Sequence, residues 1–342
     1  MRILMWPVHG AYTDAFVRGD HEYLMPVEPG VDLPGPSAWG WSRAREVAAE
    51  NLRDEHIDVV VLQSPDEAAN VRLLTGMVPG RDVPAVYLEH NTPGPGSCVH
   101  PLSGQDEVPI VHVTHFNRLF WDSGLAPTHV VEHGVPDPGP LYTGELEGIG
   151  VVVNEPVRRW RATGTDLLPA FAQEAPVDVF GMGGERLHAA FPGEHGVVAA
   201  GDLPPSRLHP ELARRRVYLH PFRWTSLGLS LLEAMHLAMP VVALATTEVV
   251  RAVPPGAGVI STDVDELRRA VRAFLADPEM AREVGLEARR HVLARYGLGA
   301  FLARWDAVLD EVIASHWARR TPHVAATSVH ALRTASLASD GL

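Results

Sequence analysis

The chain has 342 residues, enough for two domains of ordinary size, each with a core of its own. Hydrophobic residues make up 46% and charged residues 21%, a globular balance, and a formal net charge of −13 argues against nucleic acid or an anionic membrane as the main partner. The single cysteine, Cys98, permits no internal disulfide; the apolar run after Met1 is too short for a signal peptide; and no stretch approaches the roughly 18 apolar residues of a membrane span, so a cytoplasmic protein is expected.

In chain order, the first half alternates short apolar runs with helical patterns. Ile3 to Trp6 reads as a strand running into a His9-Gly10-Ala11 loop, and Trp41 to His56 as an amphipathic helix. Val59-Val60-Val61-Leu62 is the continuous apolar run of a strand buried on both faces, Asp66 to Thr75 is helical, and Ala85 to Leu88 is a strand ending at Glu89-His90-Asn91. After a Gly/Pro-rich loop, Thr92 to Gly104, come a strand at Ile110–Val113, a short helix at Phe116–Trp121 and a strand at Thr128–Val131. Pro136-Asp-Pro-Gly-Pro140 is the best linker in the sequence.

The βα rhythm restarts after the linker. Val151 to Val153 is a strand, a loop with arginines follows, Asp166 to Glu174 is helical, and Val177–Phe180 and Val197–Gly201 are strands. Ser206 to Arg215 carries a helix, and long helical patterns fill Asp263–Ala276, Pro278–Tyr296 and Phe301–Trp317. From about Ala318 the chain is rich in Ser, Thr and Ala with little periodicity and is read as a mobile tail. These boundaries give an α/β chain with an N-terminal domain at 1–138, a second domain at 139–317 and a tail at 318–342.

The most informative stretch runs from Tyr218 to Ala243. It reads as strand, loop, helix, turn, strand: His220 to Ser226 is the loop, Leu231, Leu232, Met235 and Leu237 recur at helical spacing, Pro240 stops the helix, and Val241 to Leu244 is a buried strand. Glu233 is the one acidic residue inside this apolar helix. Gly228 precedes the free N–H groups of the helix start, an arrangement suited to an anion, with a carboxylate one turn further in for a hydroxyl donor.

Gly228, Glu233-Ala234-Met235 and Pro240-Val241-Val242 resemble the signature of retaining glycosyltransferases of the group 1 (family 4) type, which have the GT-B fold of two Rossmann-like domains facing a cleft. The family's first glutamate falls eight residues before Glu233, where this chain has Thr225. Val131 to Asp137 is similar to the segment that closes the family's first domain, and the stretch from the Val151 strand to Thr163-Gly164-Thr165-Asp166-Leu167-Leu168 to its Gly-Arg…Lys-Gly…Asp-Leu-Leu element. Counting back from Gly164 puts Arg158 at the family arginine and Thr163 at its lysine, with Arg161 as a substitute charge. Phe180-Gly181-Met182-Gly183 resembles the Gly-x-Gly after the second strand of that domain.

What the resemblance implies is specific. Arg158, Arg161, Thr163 and Gly181, with the N–H groups of Gly228, Leu229 and Ser230, would hold a donor diphosphate; Glu233 would accept hydrogen bonds from the ribose; Thr225, Ser226 and Leu227 would line the sugar pocket. His90 would face the sugar, while His9 and Gly10 would lie on the acceptor side. Catalysis would rest on His90, Arg158 and Thr225, with a nucleotide-sugar co-substrate, an unknown acceptor, no cofactor and no metal. A GT-B epimerase or phosphorylase, or a sugar-nucleotide binder without chemistry, are the alternatives, and Thr225 and Thr163 favour the last. Other readings compete locally: His112 and His115 as a metal pair, Gly94-Pro-Gly96 as an acceptor-side loop, and Trp39 and Trp41 as a sugar-stacking pair or simple helix-start packing.

Overall fold

The structure is a computed structural model that describes residues 1–27, 36–94 and 96–320. The first sheet is built from β1 (Arg2–Met5), β2 (Glu22–Val27), β3 (Ala44–Ala48), β4 (Val59–Leu62), β5 (Ala85–Glu89), β6 (Ile110–His112) and β7 (Thr128–Val130). Their order is β3-β2-β1-β4-β5-β6-β7 and every pairing is parallel. The second sheet holds β8 (Leu146–Val152), β9 (Val177–Phe180), β10 (Val197–Gly201), β11 (Arg215–His220), β12 (Val241–Leu244) and β13 (Gly258–Ser261). It is also all parallel, in the order β10-β9-β8-β11-β12-β13. Such sheets need apolar cover on both faces, and each has a core cluster on either side.

Strand order reverses between β1 and β4 in the first sheet and between β8 and β11 in the second. These are topological switch points, where the loops at the carboxyl ends of adjacent strands diverge and leave a crevice. The chain crosses between the domains twice, and the two crossings touch. Val135 N–H donates to the Tyr296 carbonyl at 3.0 Å, and Glu132 on the outgoing segment pairs with Arg295 at 2.6 Å. The last helix, Leu298–Arg320, then returns to the first domain, where Phe301, Trp305, Leu309 and Val312 join the core around Ile3, Phe16 and Val111.

Several local readings need correction. Trp41–His56 is not a helix: Ala44–Ala48 forms edge strand β3 and Ala49–Asp54 a 3-10 turn. The apolar spacing there follows the β2 partner, with Tyr23 opposite Ala44 and Val27 opposite Ala48, and not a helical face. β2 itself escaped notice because Pro26 interrupts its pattern; Pro26 is tolerated because the pairing with β1 covers only Glu22 to Leu24. β13 was not foreseen either. The final helix starts at Leu298 and runs to Arg320, into the segment read as tail, and the remainder of that tail, 321–342, lies outside the described residues.

Candidate active site

Each of the two switch points contributes a wall. On the first domain, Gln63 follows β4, His90 follows β5, and His9 caps the helix Gly10–Phe16 after β1. The His9 and His90 rings lie 4.1 Å apart, and Tyr12 meets His90 edge-on at 4.6 Å and His133 at 5.7 Å. The Tyr12 hydroxyl accepts a hydrogen bond from Trp305 Nε1 at 2.9 Å, so the returning helix supports this cluster from behind. Burial holds the pKa of His90 well below its ordinary value, with the nearby His9 and His133 adding to the effect, and pushes His133 down to about 4. The histidines are therefore neutral at pH 7. Beside them, Glu89 is buried and accepts from Asn91 N–H at 2.7 Å; its other oxygen lies 3.2 Å from His100 Nε2. His100 Nδ1 accepts from the Leu102 N–H, so Nε2 carries the proton and donates to Glu89. That pair fixes the loop that presents His90.

On the second domain, the helix Leu229–His236 begins directly after Gly228. The N–H groups of Gly228, Leu229 and Ser230 donate to no backbone carbonyl among the described residues. Gly228 has an ordinary φ of −69°, so its lack of a side chain is a packing requirement: a Cβ there would lie 2.5 Å from His220 Cε1. His220 is fully buried and stacks on Phe222 at 4.4 Å. Ser230 accepts a hydrogen bond from the buried Tyr218 hydroxyl at 2.9 Å, which leaves its own proton to donate outward. The Glu233 carboxylate is partly buried, and the His209 ring nitrogen Nε2 stands 3.9 Å away, beyond hydrogen-bond range. The hydroxyls of Thr225 and Ser226 have no protein hydrogen bond among the described residues. Leu229 packs against the cores of both domains, which brings this helix start to the first-domain wall.

The arginines sit on a helix, Pro156–Thr163, and not in the loop expected from sequence. It opens on Glu155 in the left-handed region (φ 56°) and is kinked at Trp160 (φ 31°), so backbone strain is concentrated at the carboxyl end of β8. Arg158 is exposed and faces Glu155 at 3.6 Å. Arg161 is exposed and bonded to Asp166 at 3.0 Å, which also takes Arg223 at 2.6 Å. Thr163 does not stand in for a lysine: it is buried, its hydroxyl donating to the Trp160 carbonyl and meeting Thr165 Oγ1 at 2.9 Å. Gly164 (φ 71°) lets the chain turn where a Cβ would collide with the Pro221 carbonyl, and Gly181 (φ 119°) does the same against Val153. Leu227 is packed into the second-domain core, so only its backbone can meet a ligand.

The residue that sequence reading missed is Arg159. Its guanidinium lies 5.8 Å from the Phe222 ring centroid and pairs with no carboxylate among the described residues. Burial and the neighbouring Arg158 lower its pKa, the signature of a cation without a counter-ion. The helix and the signature loop are stitched together, since the N–H groups of Arg223 and Trp224 both donate to the Ala162 carbonyl. Helical phase was the available signal: position 159 falls three after buried Pro156 and four before buried Thr163. A second signal was composition, because the chain has no lysine at all and every one of its 29 basic residues is arginine.

Trp224 crosses to the first domain, donating from Nε1 to the Pro93 carbonyl at 3.2 Å and meeting the Phe116 and Phe120 rings at 5.6 and 5.5 Å. Glu248, buried in the second domain, accepts from Phe116 N–H at 2.7 Å. The other candidates stay apart. His112 is buried in the first sheet and His115 is on the surface, and no described group of three or more His, Cys, Asp or Glu could hold a metal ion. Trp39 and Trp41 stack at 5.5 Å, with Trp39 over Gly10. Pro95, in the Gly94–Gly96 loop, lies outside the described residues.

Residues 160–277 match the family model described as glycosyl transferases group 1. That match lies wholly within the second domain. Among solved structures, TarM of S. aureus, in complex with fondaparinux, α-GlcNAc-glycerol and UDP, is 14% identical with a TM-score of 0.60 over 74% of this chain. The present chain spans about half of TarM, 55% of its length. HepE of Anabaena, with UDP and glucose, is 14% identical over 91% of this chain and 100% of its own, at a TM-score of 0.69. Sucrose-phosphate synthase of Thermosynechococcus elongatus is 16% identical over 92% and 100%, at 0.66. These likenesses establish the fold, which is GT-B. A comparison with curated protein sequences finds no match. No described helix of the chain is long and apolar enough to cross a membrane.

Proposed function

We propose that the chain is a retaining glycosyltransferase that takes a sugar from a nucleoside-diphosphate sugar, bound mainly by the second domain, to an acceptor bound by the first. The observation that carries this reading is Glu233, a partly buried carboxylate with no hydrogen-bond partner among the described residues, one turn inside a helix whose first amides donate to no described backbone carbonyl. The amides and Ser230 stabilise the diphosphate as it departs, Arg159 and Arg158 supply positive charge, and Glu233 accepts the ribose hydroxyls. Thr225 and Ser226 hold the sugar, and His90 faces it from the first domain. In the same-face reaction, the bond from the anomeric carbon to the phosphate oxygen breaks, the bond to the acceptor oxygen forms, and the acceptor proton passes to the leaving phosphate. The protein cations and amides would do this without a metal ion. Uridine is the favoured base, because both TarM and HepE were solved with UDP. The acceptor, whether a glycan, a lipid-linked sugar or a small molecule, is unassigned. We place the reaction in the cytoplasm, consistent with a lone exposed cysteine.

A melting-temperature panel with UDP, GDP, ADP and TDP sugars tests the donor site. A nucleotide at a hundred times its Kd adds about 2.7 kcal/mol of stability. No shift with any of them would sink the donor reading; a shift that survives Glu233→Ala would sink the ribose assignment. The second reading, a binder without chemistry, draws on Thr225 in place of a carboxylate and on Thr163 being buried. It gives the same thermal shift but neither donor hydrolysis nor transfer. A pyridoxal-dependent phosphorylase is ruled out, because no lysine exists to form its Schiff base.

A further inference from the structure

Gln63 is buried, 7% exposed, between the cleft and the first sheet, and its side-chain amide admits one orientation. Nε2 lies 2.6 Å from the Trp6 carbonyl oxygen. A carbonyl only accepts, so the NH2 end must face Trp6; the flipped amide would set oxygen against oxygen. The Gln63 backbone N–H is held in turn by the Glu67 carboxylate at 2.6 Å. Oε1 is thereby fixed 3.0 Å from His90 Nε2. An amide oxygen also only accepts, so Nε2 of His90 must carry the proton. In a neutral imidazole, Nδ1 then holds the lone pair. Nδ1 has no protein partner among the described residues and, unlike the two sealed ring nitrogens of His133, is not closed off from solvent.

We propose that Gln63 is a positioning residue that locks His90 in the Nε2–H form and so presents Nδ1 as an acceptor for a hydroxyl of the donor sugar. The identity of that hydroxyl rests on the glycosyltransferase reading; the locked tautomer does not. Locking matters because a ring free to exchange its proton would for part of the time offer a donor to a hydroxyl that needs an acceptor. It also specifies the side of the ring that works. The glutamine face is occupied by structure, and the opposite face is left for the ligand.

The test is 15N NMR of histidine-labelled full-length protein, with the His90 resonance identified by its disappearance in His90→Asn. The wild type is expected to show one neutral tautomer at pH 7, protonated at Nε2. In Gln63→Met, close in size but unable to accept from Nε2–H, a Nδ1–H population should appear. Wild-type His90 protonated at Nδ1, or Gln63→Met indistinguishable from wild type, would overturn the assignment. UDP-glucose should then move the Nδ1 resonance while UDP alone leaves it in place; equal responses to a bound UDP and a bound UDP-glucose would remove the sugar contact. For turnover, Gln63→Met should lower kcat for donor cleavage at least tenfold with the Kd for UDP within twofold. A variant that loses both equally has a general structural defect and refutes a positioning role. If no nucleotide binds the protein at all, the donor reading fails, and the tautomer measurements still decide what Gln63 does.

Discussion

Gly228→Ala is the sharpest test of the packing behind the donor loop. The backbone at 228 (φ −69°, ψ 122°) is open to any residue, so the substitution carries no dihedral strain. Its cost is contact: the new methyl would stand 2.5 Å from His220 Cε1 and 3.1 Å from Nε2, against a carbon–carbon optimum of about 3.5–4.0 Å. His220 cannot swing aside, being wholly buried, stacked on Phe222 at 4.4 Å and held at 3.3 Å by the Tyr218 hydroxyl. An overlap of about 1 Å in a close-packed site costs roughly 1–3 kcal/mol. For a domain of this size that is about 2–4 °C of Tm per kcal/mol. Urea denaturation and calorimetry of Gly228→Ala, His220→Ala and the double variant would measure it. The two single changes should be non-additive by about 0.5–3 kcal/mol, since removing the ring makes room for the methyl. A neutral Gly228→Ala, or additive effects, would refute the close-approach argument and with it the reason given for glycine before the helix.

Other consequences are as direct. Gly285, inside the helix Pro278–Tyr296, faces the Ala238 carbonyl so closely that no Cβ fits, whereas Gly299 near the start of the last helix has open space. Gly285→Ala should destabilise by about 1–3 kcal/mol and Gly299→Ala should stabilise by up to about 1 kcal/mol; equal signs in urea melts would contradict the packing. Acid should weaken the fold: burial pushes His112 and His220 down to about 3 and His133 to about 4, below the unfolded value of 6.5. Their contribution is complete above pH 6.5 and is lost as pH falls toward the folded values, about 2 kcal/mol for each by pH 5. Glu67, pushed up to about 7 by burial, works in the opposite direction but is one group against three, so a denaturation midpoint flat from pH 7 to 5 would count against this balance. Trp224→Ala removes the aromatic clasp on Phe116 and Phe120; small-angle scattering should show a more open apo protein, and an unchanged radius would mean that the clasp does not hold the cleft.

Much of the architecture was legible because it is local. Val59–Leu62 and Val241–Leu244 are strands buried on both faces, and their unbroken apolar runs say so. Glu233 stood out as an acid in an apolar helix, and Gly228 as the residue before that helix. The helix at Trp41–His56 failed because an edge strand paired on one side carries too few apolar positions for its period to show. The weight that the sequence puts on Arg158 rather than Arg159 has a related cause. Counting from Gly164 measures distance along the chain, whereas burial against Phe222 depends on helical phase and on a loop more than 60 residues away, as the separation of Arg223 from Arg161 (62 residues) shows.

By itself the sequence determined most of the elements, the parallel α/β class, and the helix start with its carboxylate, because period, breakers and caps act within one turn or one strand. Only the tertiary structure decided the site. Strand order brings His9, Gln63 and His90 together from three strand ends, sets the Arg159 helix against the signature loop, and turns Thr163 inward. Those outcomes follow from how crossovers stack distant strands, which no local pattern encodes.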